Sequence, residues 1–95
     1  MATLIQQLDV VVAIYHDQAQ EAAKAEAAHK VARAKRCLKA RHSGEAKSAA
    51  EAEWFGEADD EVADLFSKRL ISSAIADATK QKLNELVDLF DRARR

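Results

Sequence analysis

The stretch that decides the fold lies over residues 36–53 and reads RCLKARHSGEAKSAAEAE. It contains Gly44, one of only two glycines in a chain that has no proline. A glycine just after a basic turn is typical of the end of a helix, and the basic residues suit the negative end of its dipole. The acidic residues that follow suit the start of a second helix, which Ser43 or Ser48 would cap. The stretch therefore predicts a turn over residues 42–45 between two helices.

Upstream of the turn, apolar residues recur at steps of three and four positions, which is the periodicity of an amphipathic helix. We expect helix 1 to run from about residue 4 to about residue 41, with Thr3 and Gln6 resembling a capping box at its start. The predicted buried stripe of this helix consists of Leu8, Val12, Tyr15, Ala19, Ala23, Ala27, Val31, Ala34 and Leu38.

Downstream of the turn, the pattern predicts helix 2 over residues 46–93, continuous or kinked near Gly56, because a long helix can absorb one glycine. Asp59 or Asp60 would cap the helix if it restarted after that glycine. The predicted seam is a heptad pattern formed by Val62, Leu65, Arg69, Ser72, Ala76, Thr79, Leu83, Leu86, Phe90 and Ala93. A second apolar set beside it consists of Phe66, Leu70, Ile71, Ala74, Ile75 and Ala78. Two adjoining apolar faces predict two partner helices, one from the same chain and one from another.

The charges change sign at the turn: basic residues dominate residues 24–39, and acidic residues dominate residues 49–64. Folding the chain at Gly44 lays these blocks side by side, and mispaired arrangements would juxtapose like charges. Surface ion pairs contribute only about 0–1 kcal/mol each, but the pattern specifies which helices are neighbours. The sequence therefore predicts an all-α antiparallel helical hairpin, one domain over residues 1–95, which dimerises into a four-helix bundle or coiled coil.

Composition limits the classes of function. A chain of 95 residues has a modest core, for which oligomerisation is a common remedy. A net charge of −1 argues against tight nonspecific binding to nucleic acid. The single cysteine, Cys37, excludes an intrachain disulfide and is typical of a reducing compartment. The first residues lack a basic signal-peptide region, and the longest apolar run, residues 10–15, is too short to span a membrane. We therefore expect a cytoplasmic protein without a membrane partner.

Glu26 and His29 are the candidate metal ligands. Side chains three residues apart project from one face of a helix, and Glu-x-x-His pairs supply ligands in di-iron helical bundles. A homodimer would provide two such pairs, and Glu53 or Glu57 of helix 2 could complete the set. The alternative is a solvated pair in which Glu26 also lies four residues before Lys30.

The basic stretch HKVARAKRCLKAR, residues 29–41, is the candidate nucleic-acid surface. Its candidate phosphate-binding residues are Lys30, Arg33, Lys35, Arg36 and Lys39. It lacks interleaved aromatic residues for base stacking, and the acidic block opposite would largely neutralise it. The alternative is a charged face that pairs with the neighbouring helix. Because the sequence has no glycine-rich phosphate loop, nucleophile elbow or Cys-x-x-Cys motif, we expect no enzyme, no cofactor and no small-molecule substrate.

Two adjacent aromatic residues, Trp54 and Phe55, cannot both face one partner helix. Either one packs inside the hairpin and the other in a dimer, or they anchor a foreign protein, since tryptophan is enriched at interface hot spots. The predicted partner-binding residues are Trp54, Phe55, Phe66, Leu70 and Ile71.

Residues 21–70 read EAAKAEAAHKVARAKRCLKARHSGEAKSAAEAEWFGEADDEVADLFSKRL. The chain resembles small all-helical accessory proteins encoded by phages of Gram-positive and actinobacterial hosts, over roughly residues 20–95. The matching features are Leu38-Lys39, Ser43-Gly44, Glu51-Ala52-Glu53 and the closing Asp91-Arg92-Ala93-Arg94-Arg95. The resemblance implies an accessory factor that acts on DNA-processing or host proteins in the host cytoplasm, and it implies no catalytic residue. We therefore expect a non-enzymatic helical module for protein–protein interaction.

Overall fold

A computed structural model describes residues 2–94. These residues form three helices, α1 at Ala2–His42, α2 at Ala49–Ala58 and α3 at Asp60–Arg94, and no strand. The predicted all-α class is therefore confirmed. The prediction of two long helices is not confirmed, because the second half of the chain is divided into α2 and α3.

The described residues belong to two compact units. The turn unit is Ala23–Leu70, which contains the second half of α1, all of α2 and the first part of α3. The terminal unit combines residues 2–22 of α1 with residues 71–94 of α3. The prediction of one domain over residues 1–95 stays a prediction.

The turn after α1 depends on Gly44, whose φ of 80° lies in the left-handed region that glycine adopts without steric penalty. Its amide donates to the carbonyl oxygen of Arg41 at 3.4 Å, and the amide of Ala46 donates to that of Ala40 at 3.0 Å. These bonds satisfy carbonyl groups that the end of a helix would otherwise leave free. The predicted turn is therefore in the right place, but it extends over residues 43–48 rather than 42–45.

Ser48 begins α2, which confirms one of the two predicted caps. Its side chain accepts a hydrogen bond from the amide of Glu51 at 3.2 Å, as expected of an N-cap. The Glu51 carboxylate in turn accepts from the amide of Lys47 at 2.8 Å. Because this reciprocal cap fixes the start at Ala49, the helix begins three residues later than the predicted residue 46.

The break between α2 and α3 lies at Asp59. Its backbone is extended, with φ of −68° and ψ of 130°, and its carboxylate accepts from the amide of Val62 at 3.1 Å. Asp59 therefore caps α3, which confirms the prediction of an aspartate cap. The sequence predicts a helix that is continuous or kinked near Gly56; the helix is instead interrupted at Asp59, three residues after Gly56, which itself lies within α2.

Gly56 of α2 packs closely against α1. A Cβ atom added to it would lie 2.6 Å from the sulfur of Cys37 and 3.4 Å from Arg33. Ala52, one turn earlier, is also buried, and it forms a small core with Ala40 and Ala46. Small residues at these positions allow the helix backbones to approach closely, and this close packing is the reason for a glycine in α2.

The predicted seam of α3 is confirmed over almost its whole length. All of its residues from Val62 to Phe90 are buried or half-buried, and only Ala93 is exposed. Within the turn unit the seam supplies Val62, and within the terminal unit it supplies Ala76 and Leu86 as buried residues. The second apolar set of α3 is exposed throughout.

The predicted stripe of α1 is wrong beyond Ala19. Its members Ala23, Ala27, Val31, Ala34 and Leu38 are exposed, as is Val12. The residues that face the neighbouring elements are instead Ala22, Ala25, His29, Ala32, Arg36 and Ala40. The helix is therefore rotated relative to the prediction, because polar side chains at two of these positions form contacts that an apolar pattern does not reveal.

We expect Gly56→Ala to destabilise the protein although alanine favours helix formation by about 1 kcal/mol. The added methyl group would overlap the Cys37 sulfur, and overpacking costs about 1–3 kcal/mol. The measurement is the free energy of unfolding in urea. The double variant Gly56→Ala/Cys37→Ala removes the overlap, so it should be at least as stable as Cys37→Ala alone. A Gly56→Ala protein more stable than the parent would contradict the close packing.

Candidate functional site

Arg36 links three parts of the turn unit. Its guanidinium lies 3.3 Å from Glu45 in the turn and 3.3 Å from Asp59 at the break between α2 and α3. It also lies over the ring of Phe55 in α2, 5.3 Å from the centroid, which is cation–π geometry. A planar group with five donors can serve several acceptors at once, so a single side chain ties the turn, α2 and α3 to α1.

The predicted pairing of the basic and acidic blocks is confirmed for the residues that face each other. Arg33 lies 3.4 Å from Glu57 of α2, and Arg36 lies beside Asp59 as described. Lys30 instead pairs with Glu26 on the same helix at 2.9 Å. Three of the five candidate phosphate-binding residues, Lys30, Arg33 and Arg36, are thus already in ion pairs within the chain.

The other two candidate phosphate-binding residues, Lys35 and Lys39, line a groove of about 670 Å³ in the turn unit. Asp59 and Glu61 line the same groove, so its rim carries both signs of charge. Binding of a phosphate backbone is favoured by a surface of uniformly positive charge. The groove therefore adds no support to nucleic-acid binding, which stays a hypothesis.

His29 and Glu26 are brought together by Arg69 of α3. One Arg69 nitrogen lies 3.1 Å from His29 Nδ1, and the other donates to the Glu26 carboxylate at 3.4 Å. Because a guanidinium only donates, Nδ1 must accept, and the neutral ring then carries its proton on Nε2. The ring of the buried His29 also contacts Phe66, with centroids 5.1 Å apart. The arrangement is an interhelical polar contact inside the turn unit.

The predicted metal pair therefore binds a cationic side chain. Arg69 contacts both Glu26 and His29, so a metal ion there would have to displace an existing positive charge. Glu57, named as a further ligand, binds Arg33 instead, and Glu53 is exposed. Residues 2–94 contain no group of three or more His, Cys, Asp or Glu side chains that could hold a metal ion. Metal binding stays a hypothesis without support from this geometry.

The adjacent aromatic residues of α2 point in different directions, as expected for neighbours on a helix. Phe55 is half-buried and packs against the small core of Ala40, Ala46 and Ala52. Trp54 lies on the side of α2 opposite to Ala52 and is 63% exposed, with its ring in an edge contact 5.0 Å from that of Phe55. Of the two aromatic residues of α2, Trp54 is therefore the one whose ring is largely exposed.

The remaining predicted partner-binding residues are exposed on α3. Phe66 and Leu70 belong to the turn unit, and Ile71 belongs to the terminal unit. Sequence reasoning missed three further large apolar residues that are exposed on α1, Val12, Val31 and Leu38, because it assigned them to the buried stripe. A signal was present for Val31 and Leu38, because Lys30, Lys35 and Lys39 lie close to them along the sequence and lysine side chains favour solvent.

No helix within residues 2–94 combines the length and the apolar composition needed to cross a bilayer. Comparison with known protein families, with curated proteins and with solved structures gave no match. The geometry of the chain is therefore the basis for a functional proposal, and the cytoplasmic location stays a prediction.

Two carboxylates of the turn unit are stabilised in their ionised form. A hydrogen bond from Ser43 and then one from Arg36 lower the pKa of Glu45 below 4.5. A hydrogen bond from Lys30, followed by the charges of Lys30 and Arg69, lowers the pKa of Glu26. Both carboxylates therefore stabilise the fold only while they remain ionised.

We expect the protein to lose stability in acid, as pH falls below 4.5. Above that value Glu45 is ionised in both the folded and unfolded chains, so its stabilising contribution is complete. Below it, the unfolded chain takes up protons first, and the contribution disappears as pH passes the lowered folded pKa. Urea midpoints measured across this range would show the loss, and Glu45→Gln should make it shallower. An equal reduction by the control Glu85→Gln, at an exposed position of α3 in the terminal unit, would contradict the assignment.

Arg36→Leu should destabilise the chain more than Arg33→Leu does. The first change removes the hydrogen bond to Glu45, of a kind worth about 1.5–3 kcal/mol, and leaves Asp59 without its cation. The second removes one pair in which Glu57 is largely exposed, which is worth at most about 1 kcal/mol. Thermal and urea unfolding would measure both effects. Equal effects of the two variants would show that Arg36 has no special role.

Proposed function

We propose that the chain is a non-enzymatic helical module for protein–protein interaction that associates with itself, in its simplest form as a homodimer. The observation that carries the proposal is the position of its large apolar side chains. Thirteen of them are exposed among the described residues, including Trp54, Leu70 and Ile71 at 63%, 54% and 60%. Four of the six buried apolar residues are alanine, namely Ala40, Ala46, Ala52 and Ala76.

Burial of these side chains in an interface would supply stability that the chain alone lacks. Full burial of a large apolar side chain is worth about 1.5–3 kcal/mol, whereas alanine contributes little. Among the described residues no large side chain is fully buried, so the apolar area that remains available lies on the surface. Helices with apolar residues on more than one face are typical of assemblies in which several chains share a core.

The resemblance to small helical phage accessory proteins suggests the context of this module. Under that hypothesis the partners would be DNA-processing or host proteins, and the exposed residues Trp54, Phe66, Leu70 and Ile71 would supply apolar contacts. Direct nucleic-acid binding is the less supported alternative, because three of the five candidate basic residues already pair with carboxylates of the chain.

We expect the purified protein to sediment with a mass above 10.5 kDa at micromolar concentration and to melt at higher temperature as its concentration rises. Association that favours the folded state raises the melting temperature with concentration, which a monomer cannot do. Analytical ultracentrifugation and melting curves over a dilution series would measure both. A monomeric protein with a concentration-independent melting temperature would contradict the self-association part of the proposal.

A further inference from the structure

The outer face of α1 in the turn unit is an apolar stripe with basic edges. The α1 outer face consists of Ala27, Val31, Ala34 and Leu38, whose steps of four, three and four place them along one side of the helix. All four are exposed, Val31 at 52% and Leu38 at 56%. Arg41 and Lys35 flank it without an ion pair in the described part of the chain, although Lys35 and Val31 also line the groove that Asp59 and Glu61 border. Glu26 is the only acidic residue between residues 22 and 42.

The outer face of α2 is an apolar stripe with acidic edges. The α2 outer face consists of Ala50, Trp54 and Ala58, spaced four residues apart and all exposed. It lies on the side of α2 opposite to Ala52 and Gly56, which pack against α1. Glu51, Glu53 and Glu57 surround it, and no lysine or arginine occurs between residues 48 and 67.

The two faces match in charge, size and shape. The ten residues of α2 are about 15 Å long, and the stripe from Ala27 to Leu38 on α1 is about 17 Å long at 1.5 Å per residue. Opposite charges flank the two stripes, so aligned faces would bring basic and acidic side chains together. A bulky Trp54 on one face would meet the small Ala34, between Val31 and Leu38, on the other.

The two faces cannot meet within one chain. In the turn unit α2 packs on α1 through Ala52 and Gly56 beside Arg33 and Cys37, so Trp54 lies on the far side of α2. The α1 outer face lies away from His29 and Arg36, the residues that face α3 and α2. Contact between the faces therefore requires two molecules.

From these observations we infer that the α2 outer face of one copy docks on the α1 outer face of a second copy, with Trp54 as its central anchor. The inference rests on the proposed self-association and specifies its surface. Because the two faces differ, the contact is heterologous, and each copy can engage two neighbours in a ring or an extending chain. Nucleic acid fits the basic edges of α1, but not the apolar centre of the stripe.

Trp54 is the only tryptophan in the chain, so its fluorescence reports directly on the α2 outer face. We expect its emission to shift to shorter wavelength as protein concentration rises, in step with the mass measured by ultracentrifugation. Trp54→Ala and Leu38→Ser should each weaken association at least about tenfold, since loss of a hot-spot side chain has effects of this size. Because both side chains are exposed, circular dichroism should show unchanged helix content in both variants.

Charge reversal provides the stricter test. Lys35→Glu would place a carboxylate against the acidic edge of α2, and Glu53→Lys would place a cation against the basic edge of α1. Each variant alone should therefore associate about tenfold less tightly. A mixture of the two variants restores opposite charges at every contact and should recover the mass of the parent protein. Lys80→Glu, an exposed reversal on α3 in the terminal unit, is the matched control and should change nothing.

The outcomes separate this inference from the proposed function. Association without a shift of Trp54 emission, or without recovery in the mixture, overturns the docking of these faces and leaves self-association in place. A protein that stays monomeric overturns both. Loss of binding to a labelled oligonucleotide in Lys35→Glu, with unchanged self-association, would assign the α1 outer face to nucleic acid and overturn the inference as well.

Discussion

Arg36 is the constraint on which the arrangement of the turn unit depends. The chain reverses direction through six residues and then divides its second half into two helices, and loops of this kind have little apolar area to hold them. The guanidinium of Arg36 contacts Glu45 within the loop, Phe55 in α2 and Asp59 at the break between the helices. Because these three contacts start from one position on α1, the locations of the loop, of α2 and of the start of α3 are coupled, and a change at any of them affects the others.

The small size of the core residues follows from this arrangement and leads to the proposed function. Ala40, Ala46, Ala52 and Gly56 allow α1 and α2 to approach closely, but they bury little apolar area. Larger side chains such as Val31, Leu38 and Trp54 cannot enter such a contact, and they lie outside it. The contact between α1 and α2 therefore consists of polar and small-residue packing, while the bulky residues Val62 and Leu86 are buried on α3.

The contrast between α3 and α1 shows what the sequence could predict. In α3 the bulky residues Val62, Leu83 and Leu86 alternate with charged ones, so only one face can be buried, and the predicted seam is confirmed. In α1 alanine occupies every face between residues 19 and 40, so hydrophobicity barely distinguishes one side from another. The buried side is instead the one that carries His29 and Arg36, because these two side chains contact specific partners on other elements. The same limit applied to the metal hypothesis, because the Glu26–His29 spacing was visible but Arg69, forty residues away from His29, was not.

The arginines and the lysines of this chain have different roles, and the difference determines which charges remain unpaired within the fold. Arg33, Arg36 and Arg69 each contact a carboxylate on another element, where a rigid planar group with several donors is an advantage. Lys30 and Lys68 pair within their own helices, and Lys35 forms no ion pair in the described chain, although it lines the groove that Asp59 and Glu61 border. On the acidic side Glu57 and Asp59 are matched internally, whereas Glu53 is not. The segregation of charge that selects neighbours within the fold thus leaves an excess of opposite sign on two different outer faces. Exposed charges of this kind are solvated by water and screened by salt, and the proposed contact between molecules would pair them, so one charge pattern underlies both the fold and the proposal.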